Sequence, residues 1–479
     1  MQQHATRDGA GPSGNNLNTN ALSVMDLLIA GMSYMAPGFS LFFTTAVIAS
    51  FAGIHIPMMY LFAGLGVLCT GAALSEFSKL APSAGSLQTF IARGFGHRAS
   101  VAGGLVLLVG YLCLQAGVAV LFGGWTAELL QSWFGITVPW TMLTVIGVGI
   151  CTLMMVRGLA LSIKATWILF LIEFILVLLI SLAVVLQGGA EGNTAVPFSL
   201  SSLGNVEMSA IAFGMVFATF SFVGFEGAIS FAEETPEPKR ALPVAVMGGI
   251  VAMVGLYILA TYAAAVGFGA GRIGDLAQDP EPIASLAHRY ASVLEPFLRF
   301  AVWTSIVANL MAAGNANARI LFNLGREGAL PSFIGQIHPR FQTPYLAVAL
   351  FMALTLAPGL IAAPHWDYLA AFGNIAGFGA MLALLIYMTA TAALPFYLRR
   401  RGIRLMERPF AHIVVPTLGT AIWLIPLWGT LQPGQPFPFN IYPILAAALI
   451  VAAALYAMVS GRKGRGEGLQ PLTGSQPAD

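Results

Sequence analysis

Residues Ser221–Val244 read SFVGFEGAISFAEETPEPKRALPV, and the fold turns on how that stretch is read. It opens as the end of an apolar helix and loosens at Gly224-Phe225-Glu226-Gly227. It then runs through Ile229, Ser230 and Phe231 into a charged loop punctuated by proline. Glycine on either side of Glu226 weakens the helix there. An acid inside a membrane-length apolar run is costly, and such residues mark functional sites by default.

The rest of the chain places that stretch in a bilayer. The 479 residues are 57% hydrophobic and 9% charged, whereas a soluble domain carries roughly 25% charged residues. Twelve apolar segments stand at about 23–50, 55–79, 99–126, 138–156, 160–187, 206–232, 241–269, 293–323, 344–362, 368–397, 411–430 and 440–460. Each is close to the ~20 residues that a spanning helix needs. The expected fold class is an all-α integral membrane protein with twelve transmembrane helices, and the lipid bilayer is the partner this composition demands. A net charge of +2, without a basic patch interleaved with aromatics, gives no nucleic-acid partner. Cys69, Cys113 and Cys151 lie inside apolar runs with no CxxC or histidine cluster, so neither a disulfide framework nor a metal site is expected. GxSxG, HExxH and GxxxxGK(S/T) motifs are missing, which points away from an enzyme and from ATP-driven transport; no cofactor is implied. Residues 1–20 form a polar tail without the apolar core of a cleavable signal. Residues 461–479 are Gly/Pro-rich and read as a disordered tail.

Twelve spans put both termini on one side, and the distribution of basic residues says which. With the termini cytoplasmic, 19 of the 22 Lys and Arg residues lie inside, and only Arg272, Arg289 and Arg299 lie outside. The expected location is the plasma (cell inner) membrane. Two loops, 82–97 inside and 274–292 outside, have room for short helices. The outer one, with Asp275, Asp279, Glu281 and Arg289, reads as a lid or as solvated linker. Asp26 and Glu76, at span ends, are expected to pair with nearby basic residues.

Two spans look interrupted. Gly31-Met32-Ser33-Tyr34-Met35-Ala36-Pro37-Gly38 puts a proline in the middle of the first, and the GFEG stretch interrupts the sixth. Pro removes an amide donor and clashes with the preceding turn. The breaks correspond if segments 1–5 and 6–10 are two repeats, and matched interruptions are the best sequence pointer to a transporter site at the bilayer midplane.

At this point the residues resemble a family. Phe222, Gly224, Phe225, Glu226, Ala232, Glu233, Glu234, Pro238, Arg240 and Pro243 are similar to the sixth-helix signature of the amino acid–polyamine–organocation (APC) superfamily of permeases. So is the run Arg319–Pro331 (RILFNLGREGALP) followed by His338-Pro339-Arg340 and Thr343-Pro344. Pro82-Ser83-Ala84-Gly85 resembles the family's loop, departing at Ser86, Gln88 and Phe90. The resemblance covers about residues 23–400. It implies a LeuT-type core at 21–400, with inverted repeats at about 21–190 and 205–400 and helices 1 and 6 broken, followed by two additional spans at 408–460. It also implies a secondary active transporter that imports an amino acid or related amine by proton symport with alternating access. An exchanger and a sodium symporter are the rivals within transport; a non-transporting membrane sensor is the rival of another class. The first break departs from the Gly-Ser/Thr-Gly-Ile of many relatives.

In such a site the amides after the first break, at Ala36, Gly38 and Phe39, would face a substrate carboxylate across a positive helix end. Carbonyls near Gly31, Ser33, Phe222 and Val223 would face its ammonium. The substrate-binding candidates are Ser33, Tyr34, Ala36, Gly38, Gln115, Phe222, Gly224 and Glu226. Phe222 either closes over the substrate or packs in the bundle. Gln115 and Asn309 either line the site or bond between helices. Three roles are open to Glu226: binding a cationic group, carrying a proton, or stabilising freed backbone amides. Glu173 lies mid-way along the fifth segment, in the register where proton-coupled relatives often carry a lysine. It is the coupling candidate with Asn309, taking the proton itself or helping to bind a cation with carbonyls near Ala30; a neutral packing role is the alternative. The charged cluster Glu233, Glu234, Lys239 and Arg240 is an inner gate or a solvated cap.

Overall fold

The computed structural model describes residues 23–80, 86–158, 163–231, 235, 237–326 and 330–463. Both polar tails (the second from residue 464), the Pro82–Gly85 motif, Ser162, the signature acids Glu233 and Glu234 with Ala232, and Glu327-Gly328-Ala329 lie outside these residues.

The described chain is helical, with no strand among its residues. In order the helices are α1 Val24–Met35, α2 Pro37–Ala52, α3 Ile56–Leu80, α4 Ser86–Phe95, α5 His97–Phe134, α6 Trp140–Val156, α7 Ile163–Leu186, α8 Leu200–Leu203 and α9 Met208–Phe222. A 3₁₀ helix, Phe225–Phe231, continues α9. There follow α10 Pro238–Phe268, α11 Ile273–Gln278, α12 Pro282–Tyr290, α13 Glu295–Arg326, α14 Tyr345–Ala362, α15 Tyr368–Arg400, α16 Val415–Thr430 and α17 Tyr442–Lys463. Ten runs are long and apolar enough to cross a membrane. The first, Val24–Leu80, joins α1, α2 and α3 over 57 residues, and Trp140–Val156 is a shorter apolar helix. Both loops expected to have room for short helices hold them, as α4 and as α11 with α12.

The ends of the helices follow from local chemistry. Ser23 opens α1 with a reciprocal cap: the Asp26 amide donates to Ser23 Oγ at 3.2 Å, and the Ser23 amide donates to Asp26 Oδ2 at 2.7 Å. Asp26 therefore serves the helix start; among the described residues it has no ion pair of the kind expected of it. Asp367 caps α15 in the same way, accepting from the Ala370 amide at 2.9 Å. Glu76 does pair as expected, with Lys79 at 2.7 Å and Arg408 at 3.3 Å. That second pair, with Trp423 Nε1 donating to Thr70 Oγ1 at 2.9 Å, ties α16 and the segment leading into it to α3.

Packing sorts the apolar residues into two kinds. Ile168, Leu171, Ile172 and Ile175 on α7 are exposed, as a lipid-facing surface is. Phe42, Phe77, Phe217 and Trp125 are fully buried. The buried centre has α5 against α15 and α3 against α10, with α2 lying on α9, α1 on α10, and α7 and α13 beside α2. The interruptions are thus packed among other helices, while the start of α1 is exposed at Val24 and Met25.

Candidate functional site

The first interruption falls at Ala36, which has φ 41°, between α1 and α2. Pro37 disfavours a right-handed helical conformation at the residue before it and, as the first residue of α2, leaves no amide to satisfy. The second interruption falls at Val223, which is extended, and Gly224, with φ 103°. That φ lies outside what L side chains tolerate. It comes just ahead of the expected GFEG centre, so Glu226 sits in the 3₁₀ helix and not in the gap itself.

The two interruptions touch. A Cβ on Gly224 would stand 2.9 Å from Tyr34 Cβ, and one on Gly227 would stand 2.5 Å from Tyr34 Cδ2. Gly31 likewise backs onto Ala228, where its Cβ would meet the alanine methyl at 3.3 Å. Tyr34 therefore fills the space that the signature glycines leave open.

The backbone groups freed by the breaks have named partners. Tyr257 on α10 puts its hydroxyl 2.7 Å from the Ser221 carbonyl and 3.2 Å from the Met35 carbonyl, reaching both broken helices. Ser40 Oγ also donates to Met35 O, at 3.0 Å. Asn309 on α13 donates to the Tyr34 carbonyl at 3.5 Å. Ser221, Tyr60 and Thr44 form a buried hydroxyl triangle with sides of 2.9, 2.7 and 3.3 Å.

Two carboxylates lie at the breaks. Glu226, 6% exposed, accepts from the Tyr111 hydroxyl at 2.6 Å. The Tyr387 hydroxyl lies 3.2 Å from its Oε2 and 3.4 Å from its Oε1. This pair of tyrosines holds the Glu226 side chain between α5 and α15. Glu173, 3% exposed, reaches from α7 to the start of α2. It accepts from the Gly38 amide, with the Phe39 amide and the Ser305 hydroxyl close to its carboxylate. The expectation had it beside carbonyls near Ala30; it meets donors instead. Of the amides expected to face a substrate carboxylate, Gly38's goes to Glu173 and Ala36's goes to Ser33 O at 3.2 Å.

The other candidates are placed as follows. The Ser33 hydroxyl turns back to Ile29 O at 2.7 Å. Gln115 donates to Leu310 O at 2.9 Å, linking α5 to α13. Phe222 is fully buried, with its ring 5.0 Å from Tyr257 and 6.1 Å from Tyr60. Ala36, Gly38, Gly224 and Asn309 are all at or against the breaks. Tyr60, Tyr257, Ser305 and Tyr387 were not among the expected residues. A tyrosine or serine in an apolar helix is ordinary, and only its long-range partner gives it a role.

Chemically, the arrangement offers an acid fixed by two phenols beside a carbonyl-rich double break. A cation, or a proton, is the complement of that surface. Among the described residues no cluster of His, Cys, Asp and Glu is placed to hold a metal ion.

Comparison with known proteins agrees in kind. A family model described as "Amino acid permease" matches residues 22–460. A low-affinity putrescine importer, PlaP, of Escherichia coli (strain K12) is 26% identical over 419 residues, covering 86% of this chain and 88% of the relative. The branched-chain amino acid permease BcaP of Bacillus subtilis (strain 168) is 24% identical, covering 78% and 81%. A methylthioribose transporter of the same organism is 22% identical, covering 68% and 71%.

Proposed function

The chain belongs to the amino acid permease family, a family of multi-pass membrane transporters, and from that premise we propose that it imports an amino acid or related amine, in symport with a proton. The observation that carries this reading is Glu226, a buried carboxylate held by Tyr111 and Tyr387 at the interrupted sixth span. Putrescine and branched-chain amino acids, which two of the relatives are named for, share an ammonium group. Methylthioribose, which a third is named for, has none, and a fixed acid favours the ammonium-bearing class.

Twelve passes belong to the proposal. α1 with α2 makes one, α3, α5, α6 and α7 four more, and α9 with its 3₁₀ continuation the sixth. The remaining six are α10, α13, α14, α15, α16 and α17. Both termini are then cytoplasmic, in keeping with the 19 basic residues of 22 on that side, and the host is the plasma membrane. The two halves are inverted repeats, and alternating access moves the broken helices against the surrounding scaffold. Glu173 is the coupling group. As it bonds α7 to the start of α2, a change in its protonation alters how firmly the first span is held.

Uptake by purified protein in proteoliposomes, against labelled amino acids and amines, tests the reading. A pH gradient without sodium should drive uptake; a requirement for sodium would refute the proton symport, and binding without counterflow would favour the sensor. Glu173→Gln should abolish pH-driven uptake while substrate binding persists. Unchanged driven uptake would remove Glu173 from coupling.

A further inference from the structure

The first break supplies one set of backbone donors suited to an anion, and that set is taken. At the head of α2, Pro37 has no N–H, Gly38 donates to the Glu173 carboxylate, the Phe39 amide lies close beside that carboxylate, and the Ser40 amide returns to Ala36 O at 3.1 Å. The fit is close: a Cβ at Gly38 would meet the Glu173 carboxylate and make it shift. Ser305 on α13 lies near the carboxylate from another side. The second ionisable group at the breaks, Glu226, is also an acid. Arg319, whose charge bears on Tyr34, is exposed and lies well beyond Asn309 along α13.

We propose that Glu173 is a built-in carboxylate occupying the seat that a substrate's own carboxylate would take, and that it makes this transporter select diamines and other amines without a carboxylate over α-amino acids. The proposal rests on the amine reading of Glu226. An α-amino acid would have to displace Glu173 from its donors, leaving a buried charge unpaired, or set a second carboxylate beside it, where like charges in a dry site repel. An amine lacking a carboxylate needs no anion seat and meets acids at both breaks. The seat stays filled whichever protonation state Glu173 holds, because a neutral carboxylic acid still presents a carbonyl oxygen to the Gly38 amide.

A matched pair of probes tests this: 1,4-diaminobutane and ornithine, which differ only by the α-carboxylate. Binding of both is measured on the purified full chain and on Glu173→Ala and Glu173→Gln. The wild type should bind the diamine at least about tenfold more tightly than ornithine. Glu173→Ala empties the seat and should lower that ratio about tenfold or more, chiefly by gaining ornithine. Glu173→Gln keeps an oxygen on the Gly38 amide and should retain most of the preference. Equal binding of the two probes by the wild type overturns the proposal without any variant, and leaves the amine reading standing. So does an unchanged ratio in a Glu173→Ala protein that still binds the diamine. A wild type that binds neither probe nor any other amine overturns the amine reading, and this proposal with it.

Discussion

Replacing Glu226 with glutamine separates a binding role from a structural one, because the two roles predict opposite signs. The substitution keeps the shape of the side chain. An amide oxygen still accepts from Tyr111, at the position now 2.6 Å from its hydroxyl, and the new amide N–H has the Tyr387 oxygen, 3.2 Å from Oε2, as an acceptor. What is lost is a charge buried to 6% exposure. Removing a desolvated charge while keeping its hydrogen bonds leaves stability within ~1 kcal/mol of the parent. A bound ammonium, by contrast, loses its counter-charge, and truncating one side of a buried charged pair costs about 2–5 kcal/mol. That corresponds to roughly 30-fold to several thousand-fold in Kd. The assay is equilibrium binding of a labelled amine to detergent-purified protein, with a thermal melt on the same sample. A Kd within about threefold of the parent, at an unchanged Tm, refutes the role given to Glu226. A large fall in Tm would instead show that the carboxylate chiefly holds the break together.

Gly224→Ala must adopt φ near 103° and set a Cβ 2.9 Å from Tyr34 Cβ and 3.1 Å from Tyr34 O; strain of this kind costs about 1–3 kcal/mol, so the melt should fall by several degrees, and an unchanged Tm would mean the breaks do not pack as described. Outside the spans, burial pushes the Glu281 carboxyl up to about 7, helped by Glu128, Asp279 and Glu295 and opposed by Arg299, although Arg299 lies only 2.6 Å away. Because the raised value belongs to the folded loop, closure takes up a proton: its contribution is full below the ordinary glutamate range and is lost as pH rises through about 7. Hydrogen-exchange protection of residues 273–290, corrected for intrinsic rate, should fall about tenfold between pH 5 and 8 and become flat in Glu281→Gln. Protection that rises with pH would contradict that sign.

The sequence made the helical membrane architecture legible because apolar runs of spanning length admit few other folds, and it made the breaks legible because Gly and Pro are conspicuous inside them. Glu226 and Glu173 stood out for the same reason: an acid in such a run is rare. Their partners were hidden. Tyr387 and Tyr257 sit in apolar helices, where tyrosine is unremarked, and each acts on a residue far away in the chain. Glu173 shows the limit best. Its position suggested a site near the first span, but whether it would meet carbonyls or amides depends on a shift along the helix of a turn or so, and periodicity does not fix that. Asp26 failed in the opposite direction, because a cap three residues away served it before any basic residue.

The partners of the first interruption come late in the chain. Gly38 is served by a residue 135 positions on and Tyr34 by one 275 positions on, whereas Met35 has Ser40 only five positions away. During synthesis the first span therefore enters the bilayer with freed backbone groups whose partners have not yet been made, a costly condition in lipid. Contacts this distant in sequence form slowly, so the broken centre is finished after the helices that surround it. A chain halted before α13 has α7 to reach the start of α2 and α10 to serve Ser221, and still lacks both the amide that Asn309 gives to Tyr34 and the Tyr387 hydroxyl of α15 beside Glu226.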